Sequence, residues 1–354
     1  MGLKILHSAD WHLDSPFGGF GDADREFLRQ ESRRIPELAA QLCRRERCDL
    51  MLLSGDLFDG AYTSESLTEL REALRYAGVP VLIAPGNHDP LGGDSPWERE
   101  KFPENVHIFS AGMSYFDFPE LDTRVYGGGY TGTSCPPLLE GFRAETDFRY
   151  RIGVLHGDAV TPNSPYCPVT GTQVRESGLT YLALGHIHRA DGFRAGQTLC
   201  AWPGCPMGRG WDETGEKGVL LVTLDETSEV RPVSLGLPGF YALKAPIGDD
   251  PVRAVEQVLP PGGQNSFYRV TLTGRGSPDP GELKRNFARY PRLEFLDRTA
   301  PAPDLAVLSG TQTLSGVLFG KLLELTKDPE MRETALLAAQ VAADILEGRE
   351  VELP

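Results

Sequence analysis

Five short stretches of the sequence carry aspartate, histidine and asparagine at spacings that suit metal binding. They are Asp10-Trp11-His12, Gly55-Asp56-Leu57-Phe58-Asp59, Gly86-Asn87-His88-Asp89, His156-Gly157-Asp158 and Gly185-His186-Ile187-His188. Five of the seven histidines of the chain fall in these stretches. Mixed oxygen and imidazole ligands suit manganese, iron or zinc, and the absence of cysteine from the stretches disfavours a structural zinc site. The residue types therefore predict metal-dependent chemistry.

Each stretch taken alone has a plainer interpretation. A single histidine at the end of a strand is more often a hydrogen-bonded surface residue than a metal ligand, and Gly-Asn-His-Asp by itself is typical of a turn. Five such stretches, each directly after an apolar run, are harder to explain in that way.

An apolar run precedes each of the five stretches, at residues 4–9, 50–54, 79–84, 151–155 and 181–184. Residues 22–47 and 64–76 have leucines at helical spacing, with Ser64 as a candidate helix cap. Alternating strands and helices predict a layered α/β fold, in which the carboxyl ends of the strands share one edge. We therefore expect the five stretches to converge there, with Gly55, Gly86 and Gly185 allowing tight turns.

The later part of the chain predicts a different organisation. Residues 199–235 are typical of strands and turns, and Leu237-Pro238-Gly239 indicates a domain boundary. Beyond it we expect strands at 241–246, 268–273 and 292–296 and a helix at 282–290. Pro301-Ala302-Pro303 indicates a linker before two amphipathic helices at 314–326 and 329–346. The expected domains are thus 1–237, 238–300 and a helical segment, 301–354.

Composition limits the classes of protein to consider. The 354 residues are 40% hydrophobic, and no apolar run approaches the roughly 18 residues of a membrane span. The start of the sequence lacks the features of a signal peptide. None of the six cysteines forms a C-x-x-C pair, so we expect reduced thiols and a cytoplasmic protein. The net charge of −15 argues against nonspecific binding of polyanions, although residues 238–300 carry nine basic and seven acidic side chains.

The ordered motifs D-x-H, G-D-x-x-D, G-N-H-D, H-G-D and G-H-I-H resemble the calcineurin-like metallophosphoesterase family, from residue 4 to about residue 235. LHSADWHLDSPF (6–17) and PGCPMGRGWDETGEKG (203–218) are most similar to its SbcD/YhaO-like branch of DNA repair exonucleases. The resemblance implies a layered core with two central sheets flanked by helices. It also implies a small α/β capping domain followed by C-terminal helices.

The resemblance also implies a role for each motif residue. One metal ion would be bound by Asp10, His12 and His188, and a second by the residues Asn87, His156 and His186, with Asp56 bridging the two. Two ions about 3.5–4 Å apart can polarise a phosphoryl group and stabilise its entering and leaving oxygens. The nuclease branch implies manganese, whereas the residues alone leave iron and zinc open.

His88 would be the histidine that binds no metal and protonates the leaving oxygen. At position 59 the archaeal and eukaryotic nucleases of this group carry histidine, whereas this chain has Asp59, as related phosphatases and many bacterial members do. A carboxylate beside His88 would favour the imidazolium form and orient the ring. We assign Asp14, Asp89 and Asp158 to turns or to support of the site.

The leading hypothesis is a manganese-dependent DNA exonuclease or endonuclease that acts in DNA repair with an SMC-like coiled-coil ATPase. One alternative is a phosphoesterase for small nucleotides or phospholipid head groups, which the acidic composition would suit. Another is a non-catalytic scaffold of the ATPase complex, against which the intact ligand set argues. The tail helices either dock the ATPase or pack on their own domain, and a homodimer is left open. Candidate DNA-phosphate contacts are Lys284, Arg285, Arg289 and Arg292.

Overall fold

The computed structural model of the chain describes residues 2–145, 147–248, 250–349 and 351. These residues form two compact units, Met1–Gly239 and Phe240–Pro354. The division of the chain into 1–237, 238–300 and 301–354 stays a prediction. Among the described residues, no helix combines the length and the apolar character that crossing a lipid bilayer requires.

The first unit is built from twelve described strands and five described α-helices. The strands are β1 (Leu3–Ser8), β2 (Leu50–Leu53), β3 (Val81–Ile83), β4 (Val106–Ile108), β5 (Ser114–Phe118), β6 (Thr123–Gly128), β7 (Tyr150–His156), β8 (Tyr181–Gly185), β9 (Asp191–Ala195), β10 (Thr198–Trp202), β11 (Val219–Leu224) and β12 (Glu229–Val233). The helices are α1 (Asp22–Arg33), α2 (Ile35–Glu46), α3 (Ser64–Ala77), α4 (Pro96–Arg99) and α5 (Gly171–Glu176).

Two six-stranded sheets of this unit pack face to face. The first has the order β12-β11-β1-β2-β3-β4 and is parallel from β1 to β4. The second has the order β5-β6-β7-β8-β10-β9 and is parallel from β6 through β8 to β10. One core cluster joins Ile5 and Leu52 of the first sheet to Ile152 and Ala183 of the second. The predicted α/β fold with two central sheets flanked by helices is confirmed.

All five predicted strands before residue 190 are present, and the segment 22–47 with helical spacing is helical but not continuous. It is two helices that meet at Arg34. Pro36 explains the break, because proline lacks an N–H donor and is accommodated in the first turn of a new helix rather than inside one. The cap of α3 is Thr63 and not Ser64, since the Thr63 hydroxyl accepts a hydrogen bond from the Ser66 backbone.

The second unit has a parallel sheet in the order β13 (Phe240–Ile247), β14 (Phe267–Gly274) and β15 (Leu293–Asp297). Its helices are α6 (Pro251–Val258), α7 (Pro280–Asn286), α8 (Leu305–Ser309), α9 (Leu314–Leu325) and α10 (Arg332–Glu347). The three predicted strands, the α7 helix and the two tail helices are present. Helices α6 and α8 were not predicted, although Asp250 and Asp304 cap them through their side chains.

Arg275 ties the end of β14 to α10 within the second unit. Its guanidinium donates to Asp344 Oδ1 at 3.0 Å, to Glu347 Oε2 at 2.9 Å and to the Pro301 carbonyl at 3.0 Å. The arginine side chain is almost completely buried, whereas Glu347 is half-exposed. Loss of this cation would therefore leave a partly buried carboxylate without its partner.

We expect Arg275→Ala to loosen α10. Removing one member of a buried ion pair should destabilise the docked helix by roughly 3 kcal/mol, the lower end of the usual cost because Glu347 is half-exposed. Hydrogen exchange of the α10 amides should therefore accelerate about 100-fold. Arg285→Ala is the matched control, since the Arg285 side chain is largely exposed and lies 3.8 Å from Asp279. Unchanged exchange in Arg275→Ala would contradict this role of the arginine.

Candidate metal centre

The five motif stretches lie directly after five parallel strands of the two sheets. Strands β1, β2 and β3 lead into Asp10, Asp56 and Asn87, while β7 ends at His156 and β8 leads into His186. Ligand atoms of Asp10, Asp56 and His156 lie within 4.8 Å of one another, so the two sheets contribute to a single cluster. The structure thus brings together residues that are up to 178 positions apart in the chain.

Backbone strain is concentrated at these strand ends. Asp10, His12, Asp56 and His186 have φ values of 54°, 45°, 53° and 88°, in the left-handed region that side chains other than glycine rarely adopt. Hydrogen bonds from Asp10 N to Gly55 O and from His12 N to Asp56 O, both 3.0 Å, hold the first two in place. Strain of this kind persists where the surrounding structure enforces it, as at functional sites.

Gly86 permits the close approach of two of the loops. A Cβ atom at this position would lie 2.1 Å from Asp56 Oδ1. The loop that carries Asn87 and His88 can therefore lie against Asp56 only because residue 86 has no side chain. The His88 backbone N–H then donates to Asp56 Oδ1 at 2.8 Å.

His12 and His188 face each other through unprotonated nitrogens. His12 Nδ1 lies 3.3 Å from Asp59 Oδ1, and His188 Nδ1 lies 2.6 Å from Glu213 Oε1, so each Nδ1 is the donor. The two Nε2 atoms are then acceptors, only 3.2 Å apart, with Asp10 Oδ1 at 3.6 Å from the His188 nitrogen. Three lone-pair donors directed at one point repel one another unless a cation lies between them. This group fits a divalent ion.

A second group of acceptors surrounds His156. Its Nδ1 donates to the Ser54 carbonyl at 2.8 Å, and its Nε2 lies 2.9 Å from Asn87 Oδ1 and 3.2 Å from Asp56 Oδ2. Burial opposes protonation of His156, yet the carboxylates of Asp56 and Asp10 outweigh burial and raise its pKa to about 9. The pocket thus favours positive charge at this nitrogen, which a divalent ion supplies as well as a proton does.

Asp56 lies between the two groups. Its Oδ2 atom is 3.8 Å from His12 Nε2 and 3.2 Å from His156 Nε2. Burial disfavours the charged carboxylate, but the pKa of Asp56 stays well below its usual value because His156 and His12 attract the negative charge. The position and the charge both suit a bridging ligand.

The ring of His186 lies beside that of His156. The two imidazole rings are 5.2 Å apart and nearly perpendicular, and Tyr166 packs on the His186 ring at 4.5 Å. The His186 backbone N–H donates to both carboxylate oxygens of Asp10 at 3.1 Å. Burial lowers the pKa of His186 to about 4, so the ring is neutral and able to act as a ligand.

His88 and Asp59 form a pair at the edge of the cluster. His88 Nδ1 lies 2.8 Å from Asp59 Oδ1, and this hydrogen bond raises the pKa of His88 above its usual value. The His88 side chain is 44% exposed, unlike the buried ring of His12, which it meets edge to face at 4.8 Å. Ligand atoms of His88, His12 and Asp56 also lie within 4.8 Å of one another. Distance alone therefore does not separate a proton donor from a ligand at this position.

The three aspartates assigned to turns or support are found in such positions. Asp89 is buried and accepts hydrogen bonds from the backbone N–H groups of Gly86 and of residues 56–58, which joins two of the loops. Asp14 binds the Thr63 backbone at the start of α3 and pairs with Arg33. Asp158 accepts from the backbone N–H groups of residues 160 and 161 in its own turn.

Two residues that contact the site were not predicted as part of it. Glu213 binds His188, and Arg209 donates to Glu213 at 3.0 Å. Both lie in residues 203–218, a stretch noted only for its similarity to one branch of the family. No spacing rule connects Glu213 with His188, because the loop between them decides where the carboxylate falls.

The candidate DNA contacts lie in the second unit. Lys284 and Arg285 are exposed on α7, and Arg289 is exposed just after it. Arg292 is half-buried, with its guanidinium 5.3 Å from the centre of the Phe267 ring. Their role in binding DNA stays a prediction, and three of the four side chains are exposed.

Comparison with known proteins assigns the first unit to a family. Residues 3–190 match the family described as calcineurin-like phosphoesterase. A protein of Bacillus subtilis (strain 168) named "Uncharacterized metallophosphoesterase YhaO" is 37% identical over 237 residues, 62% of this chain and 57% of that protein. A subunit of the nuclease SbcCD from the same organism is 24% identical over 266 residues, 62% of this chain and 66% of its own length.

A third relative comes from an archaeon. "DNA double-strand break repair protein Mre11" of Aeropyrum pernix is 37% identical over 228 residues, 57% of this chain and 53% of that protein. The chain thus spans between about half and two thirds of the length of these three relatives. The match to the family covers more than half of the chain and includes every predicted metal ligand and His88. The resemblance seen in the sequence is confirmed: the chain belongs to the calcineurin-like phosphoesterase family, whose members are metal-dependent phosphoesterases.

Proposed function

We propose that this chain is a two-metal phosphodiesterase that cleaves DNA during repair, with manganese as its metal. The observation that carries the proposal is the pair of acceptor groups on either side of Asp56, which fits two divalent ions. The names of two relatives support DNA as the substrate, since one is part of a nuclease and the other is a double-strand break repair protein. Manganese accepts mixed carboxylate, amide and imidazole ligands of this kind.

Seven side chains would hold the ions. Asp10, His12 and His188 suit one ion and Asn87, His156 and His186 the other, with Asp56 shared. When bound, such a pair of ions neutralises phosphoryl charge and stabilises the entering and leaving oxygens of an in-line displacement. Four of these ligands, Asp10, His12, Asp56 and His156, are buried, so their charges act in a medium of low polarisability.

His88 would supply the proton that the leaving oxygen needs. The hydrogen bond to Asp59 favours the charged imidazolium and fixes the orientation of the ring. The His88 ring is also partly exposed to solvent. When the phosphodiester bond breaks, the departing oxygen gains negative charge and takes the proton of the other ring nitrogen. His88 is then neutral, and its Nδ1–H remains bonded to Asp59.

The partner would be an SMC-like coiled-coil ATPase. Support comes from the exposed apolar side chains of the tail helices, which are Val307, Leu314, Val317, Leu318, Leu325, Leu336, Ile345 and Leu346. Leu314 is 88% exposed, and apolar surface of this extent is typical of a protein contact. The relative from the nuclease SbcCD is also one part of a larger assembly, as its name states. We further propose a cytoplasmic location, which the six free, buried cysteines support.

A small-molecule phosphoesterase is the second candidate function. The net charge of −15 favours it, because an acidic surface repels a long polyanion more than it repels a small ester. A non-catalytic scaffold is less well supported, since all seven predicted ligand residues are present in the sequence. An assay that compares DNA with a small diester separates the first two candidates.

We expect the full-length chain with manganese to cleave linear duplex DNA. Lys284→Glu, Arg285→Glu and Arg289→Glu together should weaken duplex cleavage and flatten its dependence on salt, because each reversed charge removes a phosphate contact. Hydrolysis of bis(4-nitrophenyl) phosphate should stay unchanged. The matched control reverses three exposed charges of the tail, Lys321, Lys327 and Arg332, and should leave both activities intact. Equal losses on both substrates would mean that α7 has only a structural role.

We expect His88→Ala to keep its metal content and to lose about 10²–10⁴ in rate, the usual contribution of a general acid. The loss should be smaller for an ester with a nitrophenol leaving group, which departs without a proton. Asp56→Asn is the contrast, because it should lose tight metal binding together with activity. Metal content is measured by mass spectrometry, and rates are measured on esters of graded leaving-group pKa. Together they distinguish a general acid from a metal ligand at position 88. His88→Ala that loses an ion, or that slows all esters equally, would show that His88 is not the acid.

A further inference from the structure

Residues 203–218 place a buried carboxylate and an arginine beside the ligand cluster. Glu213 is only 8% exposed, and its carboxylate receives hydrogen bonds from His188 Nδ1 at 2.6 Å and from the Arg209 backbone N–H at 2.8 Å. Arg209 also donates through Nε at 3.3 Å and through Nη2 at 3.0 Å to Glu213 Oε1. Glu213 therefore fixes both a predicted metal ligand and one edge of the guanidinium.

The other edge of the guanidinium has unused donors. Arg209 Nη1 lies 3.9 Å from Asp59 Oδ1, beyond hydrogen-bond distance, and has no hydrogen-bond partner among the described residues. Asp59 Oδ1 is the oxygen that holds His88 and His12. Arg209 thus lies next to the proposed proton donor, with a quarter of its side chain exposed.

A positive charge at this place needs an explanation. A guanidinium next to a centre for two cations repels them. The Glu213 carboxylate offsets part of this repulsion, because it lies 3.0 Å from Arg209 Nη2 and 2.6 Å from His188 Nδ1. A neutral hydrogen-bond donor at position 209 could bind Glu213 without repelling the cations. The donors of Nη1 remain available to an anion that enters the site, and the planar guanidinium matches the oxygens of a phosphoryl group.

We propose that Arg209 is a substrate-binding residue that donates from Nη1 to a non-bridging oxygen of the phosphoryl group. Glu213 is the positioning residue that holds the guanidinium in place. The inference rests on the proposed function, because it assigns one more contact to the same phosphate-ester site. The class of ligand is any phosphate ester or free phosphate that reaches the metal centre.

The test is a calorimetric titration of the manganese-loaded full-length chain with inorganic phosphate. Arg209→Met should weaken phosphate binding roughly 10- to 100-fold, the range expected for one charge-assisted hydrogen bond. The metal content should equal that of the wild-type chain. Arg231→Met is the matched control, since Arg231 is an exposed arginine of the same unit that lies 3.5 Å from Glu46, and it should bind phosphate as the wild type does.

Several results would overturn the proposal. Phosphate binding by Arg209→Met equal to that of the wild type would exclude the contact, and so would a wild-type chain that binds no phosphate. Loss of metal at saturating manganese would show that Arg209 supports the metal centre instead. If Arg209→Met does not fold, Arg209→Gln gives the same comparison, because its amide can still donate to Glu213.

The titration also separates this inference from the DNA proposal. Binding of inorganic phosphate does not require that DNA be cleaved. A wild-type chain that binds phosphate through Arg209 but leaves DNA intact would refute the nuclease function and retain the arginine contact. If the wild-type chain cleaves DNA and Arg209→Met binds phosphate as tightly as the wild type does, the arginine contact is refuted and the nuclease function is retained.

Discussion

The ligand cluster is dominated by mutual repulsion among closely packed acceptor atoms. Asp10 and Asp56 are each 1% exposed, and ring nitrogens of His12, His156 and His188 face them or one another. Burial of a carboxylate costs several kcal/mol when no cation compensates it. Divalent ions convert these repulsions into ligand bonds, so the cluster is best understood as a site built around two cations.

The two-sheet core is what holds these atoms together. Four of the ligand residues adopt left-handed backbone conformations, which cost about 1–3 kcal/mol each unless their surroundings enforce them. A buried hydrogen-bonded network between the two sheets supports the ligand cluster. His7 of β1 binds the Tyr181 hydroxyl of β8 at 2.8 Å and the Ser54 hydroxyl at 2.9 Å, and burial lowers the His7 pKa to about 3. Because the Ser54 carbonyl accepts from His156, the packing of the sheets is connected directly to a ligand.

The sequence predicted the elements that a short run of neighbouring residues is enough to identify. Each metal-binding stretch follows an apolar run, and fully buried parallel strands such as β2 produce such runs. The strands β4, β5, β6 and β9 were not predicted; most residues of β5 and β9 are partly buried or exposed, so these two strands lack a continuous apolar run. The break at Arg34 could have been predicted from Pro36, since a proline is tolerated in the first turn of a helix but not in its interior.

Residues that orient the ligands, such as Glu213, were not predicted from the sequence for a different reason. Glu213 is 25 positions from His188, and their contact depends on the path of the chain through β9, β10 and residues 203–218. Motifs identify the atoms that bind the ions, because their chemistry restricts residue type. They do not identify the groups that orient those atoms, since many donors and acceptors can do so.

The most direct test of the two-ion centre is anomalous diffraction at the manganese edge from crystals of the full-length chain grown with manganese. The structure predicts two peaks about 3.5–4 Å apart, with the Asp56 carboxylate between them. One peak should lie against His12 and His188, and the other against Asn87 and His156. A single peak, or manganese bound away from Asp56 while these side chains keep their positions, would contradict the account.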